Sequence, residues 1–547
     1  MVQAVALDYL MLRFINDDKE TPMPRKLMRR TFLKSVYAAA LFLPSVEAWS
    51  QVKLTKNPFN LGIASGSPTH NSVVLWTRLF DDGIFSSNIP NQDIPVKWEL
   101  ALDAQFTKIA KSGFINAVAA LAHSVHAEVT DLSANTWFYY RFSTGGHTSR
   151  TGKTRTFVEP KNRDQERIKL AFASCQHFEH GYFNAYTHMV KENPDLVVFL
   201  GDYIYEYAPG KTGLRAHSGS WCLGLNDYRK RYAQYKAEPE LQDIHAACPW
   251  ITTWDDHEVQ NDYAGLNPGS FGPHTDFQKR RAAAYQAYYE HMPLRASVLI
   301  EGLAGLEKGA EMRIYENYRF GNILNMSLLD TRQYRDVQAC NPSGKTGSSV
   351  IDPESCETLS SEVRSILGAQ QEEWLQKQLE NSTDQSWTVI SQTTLFGAMV
   401  YRTAEGKKVW NDGWDGYPAS RKRIQDGLVK NKVANPVIFG GDVHENWVGY
   451  VKEDYANPRS NVLGYEFCGT SIATDSSKNT AGRQKVNPHF IYSEGMRRGY
   501  LVAEFTKDNL VVNLRAMIDH KAKDSDIETL ASFKMVSGSK KIEMLKS

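Results

Sequence analysis

Leu196-Val197-Val198-Phe199-Leu200-Gly201-Asp202-Tyr203-Ile204-Tyr205-Glu206 decides how the rest of the chain is read. Five consecutive apolar residues are what a strand covered on both faces requires. The run stops at Gly-Asp, a turn signal, and then presents a carboxylate and two phenols within four residues. The same grammar recurs three times. Ile168–Ala173 leads into Ser174-Cys175-Gln176-His177, Trp250–Trp254 into Asp255-Asp256-His257-Glu258, and Val437–Phe439 into Gly440-Gly441-Asp442-Val443-His444-Glu445-Asn446. Further apolar runs at Ile323–Leu329 and Trp387–Ile390 alternate with helical patterns at Asp276–Glu290 and Gln370–Leu379. That alternation predicts α/β architecture, with chemistry at the strand ends.

Ahead of this region the pattern is different. Ser72–Arg78, Val96–Leu100, Ala127–Thr130 and Trp137–Phe142 are short and rich in β-branched and aromatic residues, and a final strand is expected near Thr154–Phe157. A small antiparallel β-sandwich follows, with no catalytic constellation in it. The polar run from Glu159 to Asp164 reads as the linker. Earlier still, Arg29-Arg30-Thr31-Phe32-Leu33-Lys34 precedes a short apolar stretch, Val36 to Leu43, and small residues at Val46-Glu47-Ala48. This resembles a twin-arginine export signal and implies the twin-arginine machinery as partner, with the periplasm or the cell exterior as destination. The apolar stretch is too short to span a bilayer, and no later segment is long and apolar enough. The expected division is 1–50 signal, 51–160 β-sandwich and 161–547 catalytic domain.

The formal net charge of 547 residues is only +1, so neither a nucleic-acid footprint nor a basic membrane surface is expected. Six cysteines fit an oxidising destination. Cys340 and Cys356 flank a Gly/Ser/Pro-rich excursion that they could close, and Cys222 and Cys248 could do the same.

Converging strand-end loops would bring a thiol, phenols, carboxylates and imidazoles into one cleft. Each has a plain structural alternative: a buried Cys, a Gly-Asp turn, a core tyrosine. Together they argue otherwise, because clustered carboxylates repel unless a cation neutralises them.

These motifs, with Asp330-Thr331-Arg332-Gln333-Tyr334-Arg335, resemble the PhoD-type alkaline phosphatases and phosphodiesterases over nearly the full chain. A more distant similarity runs to purple acid phosphatases, whose Gly-Asp-x-x-Tyr spacing selects Asp202 as a bridging ligand and Tyr205, not Tyr203, as phenolate. The resemblance implies a metallophosphoesterase-like sandwich of two mixed β-sheets flanked by helices, behind an N-terminal immunoglobulin- or fibronectin-like domain. It implies ferric iron on Cys175, Asp202, Tyr205 and His444, and a second metal on Asp202, Asp256 and Asp442. It also implies a further calcium that Asn261 helps to hold. Asp256 stands where the wider metallophosphoesterase pattern has Asn, Asp442 where it has His, and Gln392 where another His is expected. Every change adds oxygen, which favours calcium over zinc. His177 is not required by the resemblance.

The implied reaction is two-metal hydrolysis of phosphate mono- or diesters by in-line attack of water. His257 is the expected proton donor to the leaving alkoxide, and Arg332 and Arg335 the expected phosphate clamps. Trp410, Trp414 and Tyr417 are expected at the entrance. Phospholipase D-like or teichoic-acid diesterase activity is the alternative within enzymes; an inactive secreted binding protein is the alternative outside them.

Overall fold

The computed structural model describes residues 53–546, apart from 82–87, 212, 271, 274–275, 300–310, 383 and 477–478. The proposed export signal lies outside the described residues.

Two large sheets dominate. One has ten strands and the other seven. In the first, Arg167–Ala173, Leu196–Leu200 and Trp250–Thr253 run parallel side by side. In the second, Leu324–Leu328, Trp387–Ser391, Pro436–Gly440 and Val462–Cys468 do the same. Period-2 alternation explains how one strand serves two cores. Ile168, Leu170 and Phe172 face a core shared with Met326, Val389 and Phe439 of the other sheet, and Phe172 stacks on Phe439 at 3.9 Å between centroids. Ala171 and Ala173 face the opposite way, among Tyr186, Tyr232 and Tyr285 of the helices Ala185–Glu192, Leu225–Lys236 and Phe277–His291. Helices Gly368–Glu380 and Pro418–Lys430 cover the outer face of the second sheet through Leu375, Leu379, Ile424 and Leu428. The result is helix, sheet, sheet, helix.

The strand runs expected from the sequence form within one or two residues of their anticipated ends. The N-terminal strands form too, and Trp137–Thr144 alternates buried and half-buried residues along its whole length. Their two layers enclose a core of Val73, Leu75, Val96, Leu100, Phe138 and Phe142. One arrangement was not legible in advance. Ile63–Gly66, Val73–Arg78 and Ser124–Val129 extend the ten-stranded sheet, through pairing of Gly66 with Trp250. The catalytic loops therefore do not share the edge of one sheet. They descend from two sheets packed face to face. After Gly499–Thr506 the chain adds antiparallel strands to the far side of the first sheet.

Cys340 and Cys356 form a disulfide. Cys222 and Cys248 do not pair; both are buried thiols, one before the helix Leu225–Lys236 and one after Pro239–Ala247.

Candidate metal centre

The parallel strands deliver their loops to a single cavity of about 460 Å3. Asp202, Asp256, His257, Asn261, Asp442 and His444 all line it. Sulfur, carboxylate and imidazole donors of Cys175, Asp202 and His444 lie within 4.8 Å of one another, and so do those of Asp202, Asp256 and His257. Asp202 belongs to both groups, the position that a bridging ligand must occupy.

The local backbone is bent to this purpose. Cys175, Asp202, Asp442 and His444 all have φ between 58° and 64°. Each costs about 1–3 kcal/mol for a residue other than glycine, and such strain persists only where surrounding bonds over-determine it. The bonds are present. The Cys175 amide donates to Gly201 O (3.1 Å), while Thr474 Oγ1 donates to Cys175 O (2.7 Å). The Asp202 and Tyr203 amides donate to the buried Glu258 carboxylate. Gly201, at φ 92°, permits the close approach: a Cβ there would stand 2.6 Å from the Asp255 amide nitrogen.

The buried Tyr205 hydroxyl donates to Asp202 Oδ2 (3.0 Å) and lies 3.4 Å from His444 Nε2. Tyr203 turns away, its hydroxyl 2.8 Å from His245 Nε2 and its ring against Tyr232. The structure thus separates the two phenols as the spacing suggested.

Electrostatically the cluster is crowded with acidic groups, and the cations beside it are Arg332 and the His257 ring. Burial, then the neighbouring Asp256 and Asp255, push Asp202 well above the usual carboxylate range. Burial and Asp255 do the same to Asp442, and burial and Asp202 raise the Cys175 thiol and the Tyr205 phenol. Asp256 is buried too, but Arg332 and His257 hold it low. Among the described residues, the buried Asp202 Oδ1 and Asp256 Oδ1 find no hydrogen-bond partner. An orphan carboxylate oxygen is costly to bury, and a cation is the partner that removes the cost. The donor set therefore fits a bound metal pair.

His257 Nδ1 donates to Glu206 Oε2 (2.8 Å), and the ring lies against Tyr205. Asn261 lines the cavity, but its side-chain oxygen already accepts from the Tyr207 hydroxyl (2.8 Å). Arg332 and Arg335 require correction. Both are buried and neither lines the cavity. Arg332 pairs with Asp255 (2.6 Å), Asp412 (2.8 Å) and Asp256 (3.5 Å), while Arg335 pairs with Asp412 (2.8 Å). They neutralise carboxylates behind the ligands instead of facing phosphate, and they are not surface ion pairs either. Tyr417 is likewise misplaced. It is buried, with its hydroxyl on Asp336 O, whereas Trp410 and Trp414 do line the cavity.

Sequence reasoning missed Asp262 and Asp412, which approach Asp256 as a third acidic group. They sit in loops with no preceding apolar run to advertise them. Gln392 is a framework residue: its side chain accepts from Thr394 N (3.0 Å) and Trp414 Nε1 (3.1 Å), and Thr394 Oγ1 in turn donates to Asp442 (2.6 Å). The His177 ring lies tilted against that of Tyr205, 4.3 Å between centroids, and belongs to none of the donor groups.

Fold and site together describe an α/β protein whose strand-end loops gather groups able to hold metal ions. Residues 170–514 match the PhoD-like phosphatase family and residues 45–158 match the PhoD-like phosphatase N-terminal domain. Alkaline phosphatase D of Bacillus subtilis is 42% identical over 486 residues, spanning 87% of this chain and 80% of the relative. A solved structure of PhoD is 39% identical, covers 90% of this chain and is itself covered to 93%, with a TM-score of 0.83. The chain belongs to the PhoD-like phosphatase family and is a phosphoric ester hydrolase. Among the described residues, no helix is long and apolar enough to cross a membrane.

Proposed function

We propose that the protein hydrolyses phosphate esters at an iron–calcium centre, in a metallophosphoesterase-type sandwich. The observation that carries this reading is the pair of orphan oxygens on Asp202 and Asp256, buried in one cavity beside Cys175, Tyr205, Asp442 and His444. Thiol and phenol donors suit a trivalent iron held by Cys175, Asp202, Tyr205 and His444. The all-oxygen set Asp202, Asp256 and Asp442 suits calcium. Bound there, the metals supply Lewis acidity toward phosphate oxygen and toward water.

The chain's own residues do the rest. Glu206 fixes His257 through Nδ1, which leaves Nε2 to donate a proton to the departing alkoxide. Arg332 holds Asp255 and Asp256 in place and offsets their charge, a positioning role. Asn261 remains the proposed contributor to a further calcium. Asp262 and Asp412 stand near it, yet Asp412 is already compensated by two guanidinium groups and Asp262 accepts from Ser348 Oγ (2.8 Å). Export through the twin-arginine route, to the periplasm or beyond the cell, is supported by Arg29-Arg30 and by the Cys340–Cys356 bridge, since disulfides persist outside the reducing cytoplasm.

The test is Asp202→Ala, assayed for bound metal and for hydrolysis of para-nitrophenyl phosphate esters. Loss of both metals and of turnover is expected from a bridging ligand. Full activity with iron retained would refute the assignment.

A further inference from the structure

The cavity has a second wall with a different chemistry. Leu395, Met399, Tyr401, Trp410, Val443 and Trp447 line it. Such a mixture of aliphatic and aromatic surface is what binds the organic part of a small ligand, while a few polar groups orient it. The wall is rigid. The buried Glu466 carboxylate accepts from the Phe396 and Gly397 amides (2.6 and 2.9 Å), and Asp415 accepts from the Met399 amide (2.7 Å). Asn487 clasps Val400 through both its amide and its carbonyl. A Cβ at Gly397 would stand 2.6 Å from a Glu466 oxygen, so this loop is fitted closely to its support.

Charged groups interrupt the apolar surface, among them Asp415, Glu445 and Arg483. Arg483 is the only arginine or lysine among the described residues that line the cavity. Its guanidinium donates to Glu445 Oε1 (2.7 Å) and lies 5.3 Å from the Trp447 ring centre and 6.0 Å from that of Tyr401. The Glu445 side chain is 0% exposed while that of Arg483 is 19% exposed, so the cation is the more accessible member of the pair. Backed by a carboxylate and flanked by two rings, the guanidinium has a fixed aim.

We propose that this wall is a subsite for the retained arm of a phosphate diester. The arm would have an apolar or aromatic body and end in an anionic group that Arg483 binds. The inference rests on the hydrolytic reading above and adds its substrate class. The retained arm, not the departing one, is assigned here for a topological reason. His257, the proton donor to the leaving oxygen, follows the ten-stranded sheet, whereas Leu395, Val443 and Trp447 belong to loops and a strand of the seven-stranded sheet.

The test uses the metal-loaded, full enzyme and three diesters with one leaving group, para-nitrophenolate, and different retained arms: methyl, phenyl and para-carboxyphenyl. Replacing methyl by phenyl should raise kcat/KM on the order of 10-fold. The carboxylate should add about 10-fold more, as expected for a hydrogen bond to a charged group. In Arg483→Gln the carboxyphenyl-to-phenyl ratio should fall to unity or below, and Trp410→Ala should shrink the phenyl-to-methyl ratio. Should Arg483→Gln fail to fold, Arg483→Lys reads the same ratio and should lose most of it, because a point charge does not reproduce the planar fork. Equal kcat/KM across the three arms, or a carboxylate gain that survives in the Arg483 variants, overturns the subsite while leaving the hydrolase reading intact. A wild-type enzyme that cleaves none of the three overturns both.

Discussion

The two walls of the cleft are built on opposite principles. On one, Cys175, Asp202, Asp442 and His444 are held in left-handed backbone, and acidic groups crowd together with oxygens left unpartnered. On the other, Leu395 to Val400 is an apolar loop whose backbone amides are satisfied from behind by Glu466, Asp415 and Asn487. The first wall stores strain and unmet charge, which a cation relieves. The second is complete without any ligand. Metal removal should therefore disturb the first wall and leave the second standing, and the contrast can be attacked one residue at a time.

The largest effect is expected from Asp442→Ala, which takes a donor from the strained wall. Hydrolysis should fall by more than about 100-fold, beyond the usual loss when only an outer partner of a ligand is removed. Steady-state kinetics with calcium in excess would show this, and a small KM effect alone would break the contrast. His257→Ala comes next, with losses of about 10²–10⁴-fold on alkyl esters and much smaller ones on nitrophenyl esters. Equal losses on both classes would end its role as proton donor.

Arg332→Met tests the support behind the strained wall. It would leave Asp255 buried without its main partner and cost about 3–5 kcal/mol of stability. Thermal unfolding is the check, and an unchanged Tm would show the pairs to be dispensable.

The smallest effect concerns the apolar wall. Burial raises Glu466 from 4.5 to about 7. Between those values the folded protein holds a proton that the unfolded chain has released, so stability from this group is present at low pH and is lost as pH rises toward about 7. Glu466→Gln should remove that part of the slope, roughly 3 kcal/mol across the window, from denaturation curves at pH 5 and 8. Identical slopes in variant and wild type would contradict it.

What the sequence disclosed follows the same division. Asp202, Asp256 and Asp442 were legible because each stands just past an apolar run, where a carboxylate has no packing reason to be. Tyr205 was separable from Tyr203 through the resemblance to the Gly-Asp-x-x-Tyr motif, and the geometry gives the two hydroxyls different partners. Arg332 and Arg335 were misread because their partners, Asp255 and Asp412, lie 77 positions away in the chain. No local pattern reports such a pairing. Asp412 itself sits in a Gly- and Asp-rich loop that offered no period to read. The joining of the N-terminal strands to the ten-stranded sheet depends on the single pairing of Gly66 with Trp250, and pairing partners are not encoded in alternation. Glu466 was hidden in a strand, where a buried acid is visible only once the loop it supports is in place.

Elemental analysis of the purified protein, paired with hydrolysis of nitrophenyl esters before and after calcium chelation, tests the central claim most directly. The account predicts about one iron per chain and hydrolysis that chelation abolishes and calcium restores. Zinc or manganese in place of iron, with activity indifferent to calcium, would contradict it.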